Sequence, residues 1–192
     1  MIPRKAAPAL AAGCTLVLKP ASQTPFSALA LCVLAERAGI PAGVISVLTG
    51  DSAAIGGELT ASPVVRKLSF TGSTPIGIQL LQQCAATVKK VTMELGGNAP
   101  FIVFDDADLE KAVEGALIAK FRNSGQTCVC ANRFYIQDGI YERFVQRFAE
   151  RVKELVVGEG DQPGTQVGPM IDGRAATGVE RMVSEAVEAG AR

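Results

Sequence analysis

Four short apolar runs, each closed by a polar or glycine-bearing turn and each followed or preceded by a helical pattern, constrain this chain most. The runs cover residues 14–18, 44–48, 65–70 and 89–95. Each is too short for a buried helix and rich in Val, Leu, Ile or Thr, which reads as a strand. Helical patterns precede and separate them: 3–12 with Pro3 in its first turn, Pro25 to Arg37 with Thr24 as a cap, 51–59 opened by Asp51, and one from Ser73 or Thr74 to Ala86. Continuous apolar strands alternating with helices predict a parallel sheet covered on both faces, a doubly wound α/β unit. Ligands of such sheets bind at the carboxyl ends of the strands. Four ends carry polar punctuation here: Lys19-Pro20, Thr49-Gly50-Asp51, Thr71-Gly72-Ser73 and Glu94-Leu95-Gly96-Gly97.

The second half repeats the α/β pattern. A strand at 101–104 precedes Asp105-Asp106-Ala107-Asp108, where Asp106 or Asp108 caps a helix running to about Phe121. A loop with two cysteines follows. Then come a strand at 133–137, an amphipathic helix at 141–155, a turn-rich exposed stretch at 158–168 and a last helix at 172–189. The paired glycines near Glu94 let the chain change direction. The expected division is 1–94, part of a dinucleotide-binding domain, and 95–192, part of a second α/β domain.

Composition removes several function classes. The chain has no histidine. Ser-His-Asp and Cys-His hydrolytic sites and histidine-rich zinc sites therefore cannot be built within it. Formal net charge is zero, which argues against nucleic acid or an anionic membrane surface as partner. Charges or glycines interrupt every apolar run before it reaches a membrane span. The five cysteines, Cys14, Cys32, Cys84, Cys128 and Cys130, are odd in number. The first three lie in apolar segments, which suits a reducing, cytoplasmic setting with most of them serving as small core residues.

Four places carry candidate chemistry. Phe70-Thr71-Gly72-Ser73-Thr74 joins a strand to a helix start, where free N–H groups suit a pyrophosphate; many such turns bind nothing. Lys19 at a strand end could meet a ribose or phosphate, or simply face solvent. Glu94 closes an apolar strand, where burial would raise its pKa toward that of a general base; the alternative is a carboxylate satisfied by nearby N–H groups. Cys128 or Cys130 could be a nucleophile activated by backbone N–H groups or a nearby cation. Their spacing also permits a strained, reducible disulfide.

Lys19-Pro20-Ala21-Ser22-Gln23-Thr24-Pro25, Phe70-Thr71-Gly72-Ser73-Thr74, Met93-Glu94-Leu95-Gly96-Gly97-Asn98 and Gly125-Gln126-Thr127-Cys128, taken in this order, resemble the aldehyde dehydrogenase superfamily. The match spans essentially the whole chain. The resemblance implies that Cys128 adds to an aldehyde and that Glu94 activates the water that hydrolyses the resulting thioester. It places Gly72 and Ser73 at the cofactor pyrophosphate, Lys19 at the adenosine ribose, Leu95 beside the nicotinamide, and Gly50 among the cofactor contacts. NAD-preferring relatives usually carry a glutamate where this chain has Ser22. Ser22 beside Lys19 removes its repulsion of a 2′-phosphate, so NADP is expected over NAD. Arg122, six residues before Cys128, can clamp a substrate carboxylate; its alternative is an ion pair with a local acid. With Gly-Gln-Thr-Cys-Val-Cys-Ala-Asn-Arg after it, the stretch is similar to bacterial succinate-semialdehyde dehydrogenases, with glutarate semialdehyde as the neighbouring substrate.

Members of this family are more than twice as long. The chain is therefore expected to be an internal fragment of a homo-oligomeric enzyme, lacking part of the oxyanion hole, inactive by itself and poorly soluble through uncovered sheet edges. Two other classes compete with this reading: a non-catalytic nucleotide-binding module with an inert Cys128, and a thiol redox module using Cys128 and Cys130.

Overall fold

The structure is a computed structural model and describes residues 1–191. The chain divides into two compact units, Met1–Gly96 and Gly97–Arg192.

In the first unit, α1 (Ile2–Ala11) leads into β1 (Leu16–Leu18), then α2 (Phe26–Arg37) and β2 (Ile45–Val47). β1 and β2 pair in parallel, with Leu16 opposite Ile45 and Leu18 opposite Val47. α3 (Ser52–Ala61), β3 (Lys67–Thr71), α4 (Thr74–Ala85) and β4 (Lys90–Glu94) follow. The Asp51 carboxylate accepts from the Ala54 N–H at 2.7 Å and caps α3. β3 and β4 run parallel, from Lys67 opposite Lys90 to Thr71 opposite Glu94.

The parallel α/β pattern is present, with three differences from the sequence reading. The strands form separate two-stranded pairs, β1 with β2 and β3 with β4; an apolar run encodes burial but not which strand lies beside it. Burial along each strand alternates between half-buried and exposed, so one face of each strand is the less covered. Thr24 does not cap α2, whose N-cap position is Pro25 without a side-chain bond.

In the second unit, β5 (Ala99–Val103) and β6 (Ala131–Ile136) pair in parallel. Between them lie α5 (Leu109–Phe121) and a tight turn, Arg122–Gly125. Asp108 caps α5 by accepting from the Lys111 N–H at 3.1 Å. α6 (Asp138–Lys153) starts three residues earlier than the apolar pattern suggests, and α7 (Gly173–Glu188) is the last helix described. Val103, Val113, Ala116, Leu117, Ile140 and Phe144 form the buried core. Phe148 extends it, lying 5.6 Å from Phe144 and 5.7 Å from Phe134 between ring centroids. On the solvent side Arg147 meets Glu110 at 2.9 Å and Arg151 meets Glu114 at 3.2 Å, bridging α5 and α6. Among the described residues no helix is long and apolar enough to cross a membrane.

Candidate active site

The cysteine loop of the second unit starts where α5 ends. Asn123 (φ 52°, ψ 43°) and Ser124 (φ 56°, ψ 29°) both adopt the left-handed conformation, and Gly125 follows at φ 73°. Left-handed backbone costs about 1–2 kcal/mol per non-glycine residue, so the turn is strained and held from outside. Its ties are the Asn123 side-chain N–H to the Gln126 carbonyl at 3.3 Å, the Gln126 N–H to the Asn123 carbonyl at 3.1 Å, and the Gly168 N–H to the Ser124 hydroxyl at 3.0 Å. The stretch that sequence reading leaves as an exposed turn is thus part of the loop's support. Gly158 donates to the Val167 carbonyl at 3.1 Å and Gln166 to the Val156 carbonyl at 2.9 Å, closing that stretch on itself.

The two cysteines of the loop differ. Cys128 is exposed and Cys130 is buried, and both are free thiols. The Cys130 thiol donates to the Lys120 carbonyl at 3.1 Å, so it acts as a structural tie between the loop and the end of α5. Cys128 carries the accessible sulfur, and its N–H has no acceptor among the described residues. Gly97 has a second role beyond changing the chain's direction. A Cβ there would collide with the Cys128 carbonyl oxygen, so only glycine lets this backbone pass so close. Asn132 and Arg133 fix the same strip, donating to the Gly97 carbonyl at 3.2 Å and the Asn98 carbonyl at 3.0 Å. Arg122 is exposed, and its guanidinium has no ion pair or hydrogen bond among the described residues. The local acid partner that would make it structural is not there. The cysteines outside the loop are mixed: Cys84 is buried, which pushes its thiol pKa up, Cys32 is half-buried, and Cys14 is exposed rather than in a core.

The first unit assembles its candidates at strand ends. Gly72 donates its N–H to the Glu94 carbonyl at 3.1 Å, which places Gly72, Ser73, Glu94 and Leu95 at one end of the β3–β4 pair. Ser73 occupies the N-cap position of α4 with its side chain unused for capping. Leu95 packs against Gly77, where a Cβ would lie 2.5 Å from its Cδ2. At the ends of β1 and β2, the Ser22 and Ser52 hydroxyls lie 3.4 Å apart. Gly50 (φ 148°) sits two residues before Ser52. The Lys19 ammonium donates to the Pro20 carbonyl at 2.8 Å. Glu94 itself is exposed, so the burial that sequence reading invokes to make it a base does not act on it.

Lys5 carries no motif of its own. From α1 its ammonium donates to the Thr71 hydroxyl at 2.7 Å. Partial burial holds its pKa down, and the charge of Glu94 partly offsets this. A lone lysine in an alanine-rich helix gives no local signal of such a role; it becomes visible only when α1 is seen beside the β3–β4 end. No cluster of His, Cys, Asp and Glu among the described residues is arranged to hold a metal.

The model of the aldehyde dehydrogenase family matches residues 1–192. Over its full length the chain is 66% identical to the succinate-semialdehyde dehydrogenase [NADP(+)] of Escherichia coli. It is 65% identical to a glutarate-semialdehyde dehydrogenase of Pseudomonas putida and 67% identical to a 3-sulfolactaldehyde dehydrogenase of the same species. It spans 40% of the length of each of these relatives. The crystal structure of an E. coli NADP-dependent enzyme, 65% identical, superposes with a TM-score of 0.98 over all of this chain and 40% of that one. The chain belongs to the aldehyde dehydrogenase family.

Proposed function

We propose that this chain supplies the nucleophile, the water-activating carboxylate and part of the cofactor site of an NADP-dependent dehydrogenase for short anionic aldehydes, with succinate semialdehyde as substrate. The Arg122 guanidinium, without a partner among the described residues and in a strained turn six residues before the exposed Cys128, carries this reading. The relatives support it. Succinate semialdehyde, glutarate semialdehyde and 3-sulfolactaldehyde, named for those proteins, each pair an aldehyde with a negatively charged group. A fork of N–H donors suits such a group. Glutarate semialdehyde, one methylene longer, is the nearest alternative substrate.

In this reading residues 95–192 hold the nucleophile. The Cys128 thiolate attacks the aldehyde carbon, and the Cys128 N–H, which has no acceptor among the described residues, stabilises the oxyanion. Arg122 holds the substrate's anionic end. Loss of hydride from the thiohemiacetal leaves a thioester on Cys128. Glu94 takes a proton from water, the hydroxide attacks the thioester, and the Cys128 thiolate leaves as the acid is released. The exposure of Glu94 leaves it open to that water.

Residues 1–94 fit a dinucleotide. The N-terminus of α4 offers free N–H groups and the uncommitted Ser73 hydroxyl. Gly72 brings a backbone without Cβ to the strand end, under the Phe70 ring, Leu95 gives an apolar contact beside it, and Lys19 with the Ser22 hydroxyl provides donors for a 2′-phosphate. NADP held by these residues would supply the hydride acceptor. Homo-oligomeric assembly accords with the exposed apolar side chains of the second unit, among them Ile102 (57% exposed) and Phe104 (63%). The five free thiols accord with the cytoplasm.

Since the chain spans 40% of the E. coli relative, activity is tested by grafting residues 1–192 in place of the matching segment of that protein. NADPH formation is followed with succinic semialdehyde and with uncharged propanal. The expected result is a strong preference for succinic semialdehyde that Arg122→Leu lowers by roughly ten- to a hundredfold in kcat/KM. An unchanged preference would remove the basis for naming an anionic substrate.

A further inference from the structure

We propose that Ser124 is a positioning residue for the anion clamp: its hydroxyl, held by the Gly168 N–H, locks the left-handed turn that sets Arg122 relative to Cys128. This rests on the reading of Arg122 and Cys128 above. The two ends of the loop are anchored independently of Ser124, by the end of α5 on one side and by the buried Cys130 thiol on the Lys120 carbonyl on the other. Between them the chain passes through two consecutive non-glycine left-handed residues, and strain of this kind persists only where the surroundings over-determine it. The Asn123–Gln126 bonds lie inside the loop and travel with it. The bond from Gly168 comes from 44 residues further along the chain.

That donor is itself fixed. The Val156 N–H donates to the Gln166 side-chain carbonyl at 3.1 Å, and the Gly158 and Gln166 amides close residues 156–168 into a tied turn just beyond α6. α6 is in turn anchored in the core by Ile140 and Phe144. The core thus reaches the turn through α6, the tied segment and one hydroxyl. Without that hydroxyl the turn can relax toward right-handed backbone. Arg122 then shifts against Cys128 although neither side chain has changed.

The test uses the 192-residue chain and needs no turnover. Alkylation of each cysteine is followed by mass spectrometry with iodoacetate, which carries a carboxylate, and with neutral iodoacetamide. The iodoacetate-to-iodoacetamide rate ratio at Cys128 is divided by that at the exposed Cys14. In the wild type this normalised ratio is expected above one, and Arg122→Leu brings it to about one. Ser124→Ala is expected to lower it about three- to tenfold, with the iodoacetamide rate at Cys128 retained. Ser124→Asn, which tolerates left-handed backbone and keeps an acceptor, restores it. Gly160→Ala, in the same segment with open space around its Cβ, leaves it unchanged. A fall with Arg122→Leu but none with Ser124→Ala overturns the positioning role and leaves the clamp standing. A wild-type ratio of one overturns the clamp and the positioning role together.

Discussion

The unit Gly97–Arg192 gathers Val103, Val113, Ala116, Leu117, Ile140 and Phe144 into one continuous cluster extended by a run of phenylalanines, whereas in Met1–Gly96 the buried side chains, Pro20, Ala28, Thr60 and Cys84, are small and scattered. Both halves have the same alternation of strands and helices. The contrast comes from how their helices are patterned. α6 is strongly amphipathic, with charges on one side and Ile140, Phe144 and Phe148 on the other, so it can satisfy one face against β5, β6 and α5. α2 is apolar nearly all round, and a two-stranded pair covers only one side of it. Val33 and Leu34 therefore remain 46% and 55% exposed. Strand-forming pattern alone does not make a core; a helix must also present a single stripe of matching width.

The contrast extends to chemistry, and the largest effect is expected there. In the grafted enzyme Cys128→Ser should lower NADPH formation by about a thousandfold or more if, as proposed, both half-reactions run through that sulfur. Glu94→Gln, in the other unit, should spare the first half-reaction. Rapid mixing should then show a burst approaching one NADPH per Cys128, followed by a slow steady state. The absence of a burst would break this division of labour.

Core truncation probes the packing difference. Phe144→Ala should cost about 3–5 kcal/mol in urea unfolding, while Phe26→Ala, at a side chain 80% exposed, should stay within about 0.5 kcal/mol. Similar losses at both sites would mean that Met1–Gly96 has a packed face at α2 that the burial pattern misses.

Two glycines sharpen the comparison further. Gly97→Ala sets a methyl against the backbone carbonyl of Cys128, whereas Gly77→Ala meets only the end of the Leu95 side chain, which can turn aside. Gly97→Ala should cost about 1–3 kcal/mol and change the Cys128 alkylation rate. Gly77→Ala should cost less and leave Cys128 unaffected.

The smallest effect is electrostatic and confined to the second unit. The Arg147 guanidinium holds the Glu110 carboxyl below its usual range, chiefly by direct hydrogen bonds. A depressed folded-state pKa contributes stability that is fully present above the ordinary glutamate pKa, about 4.3, and is lost as pH falls through the depressed value. Acid titration of Tm should therefore show a slightly steeper fall below that range in the wild type than in Glu110→Gln, and salt should blunt the difference.

The order of strands and helices, the Asp51 and Asp108 caps and the strand-end positions of Lys19, Gly72 and Glu94 were legible from local patterns, because periodicity, cap chemistry and turn residues act over a few neighbours. The four family motifs made the family legible as well. The pairing of strands by twos was not, since an apolar run encodes burial and not its neighbour. Nor was the exposure of Glu94 and Cys14, because exposure depends on which faces the helices cover. Lys5 beside Thr71, Gly97 under the Cys128 carbonyl and Gly168 on Ser124 were likewise out of reach, each joining residues 31 or more positions apart.

By itself the sequence determined the α/β class and the family, since each is written in contiguous stretches. Only the tertiary structure decided which cysteine is accessible, that Arg122 has no partner among the described residues, and that a left-handed turn before Cys128 is held by a distant amide. Those depend on contacts between segments far apart in the chain, and local pattern carries no record of them.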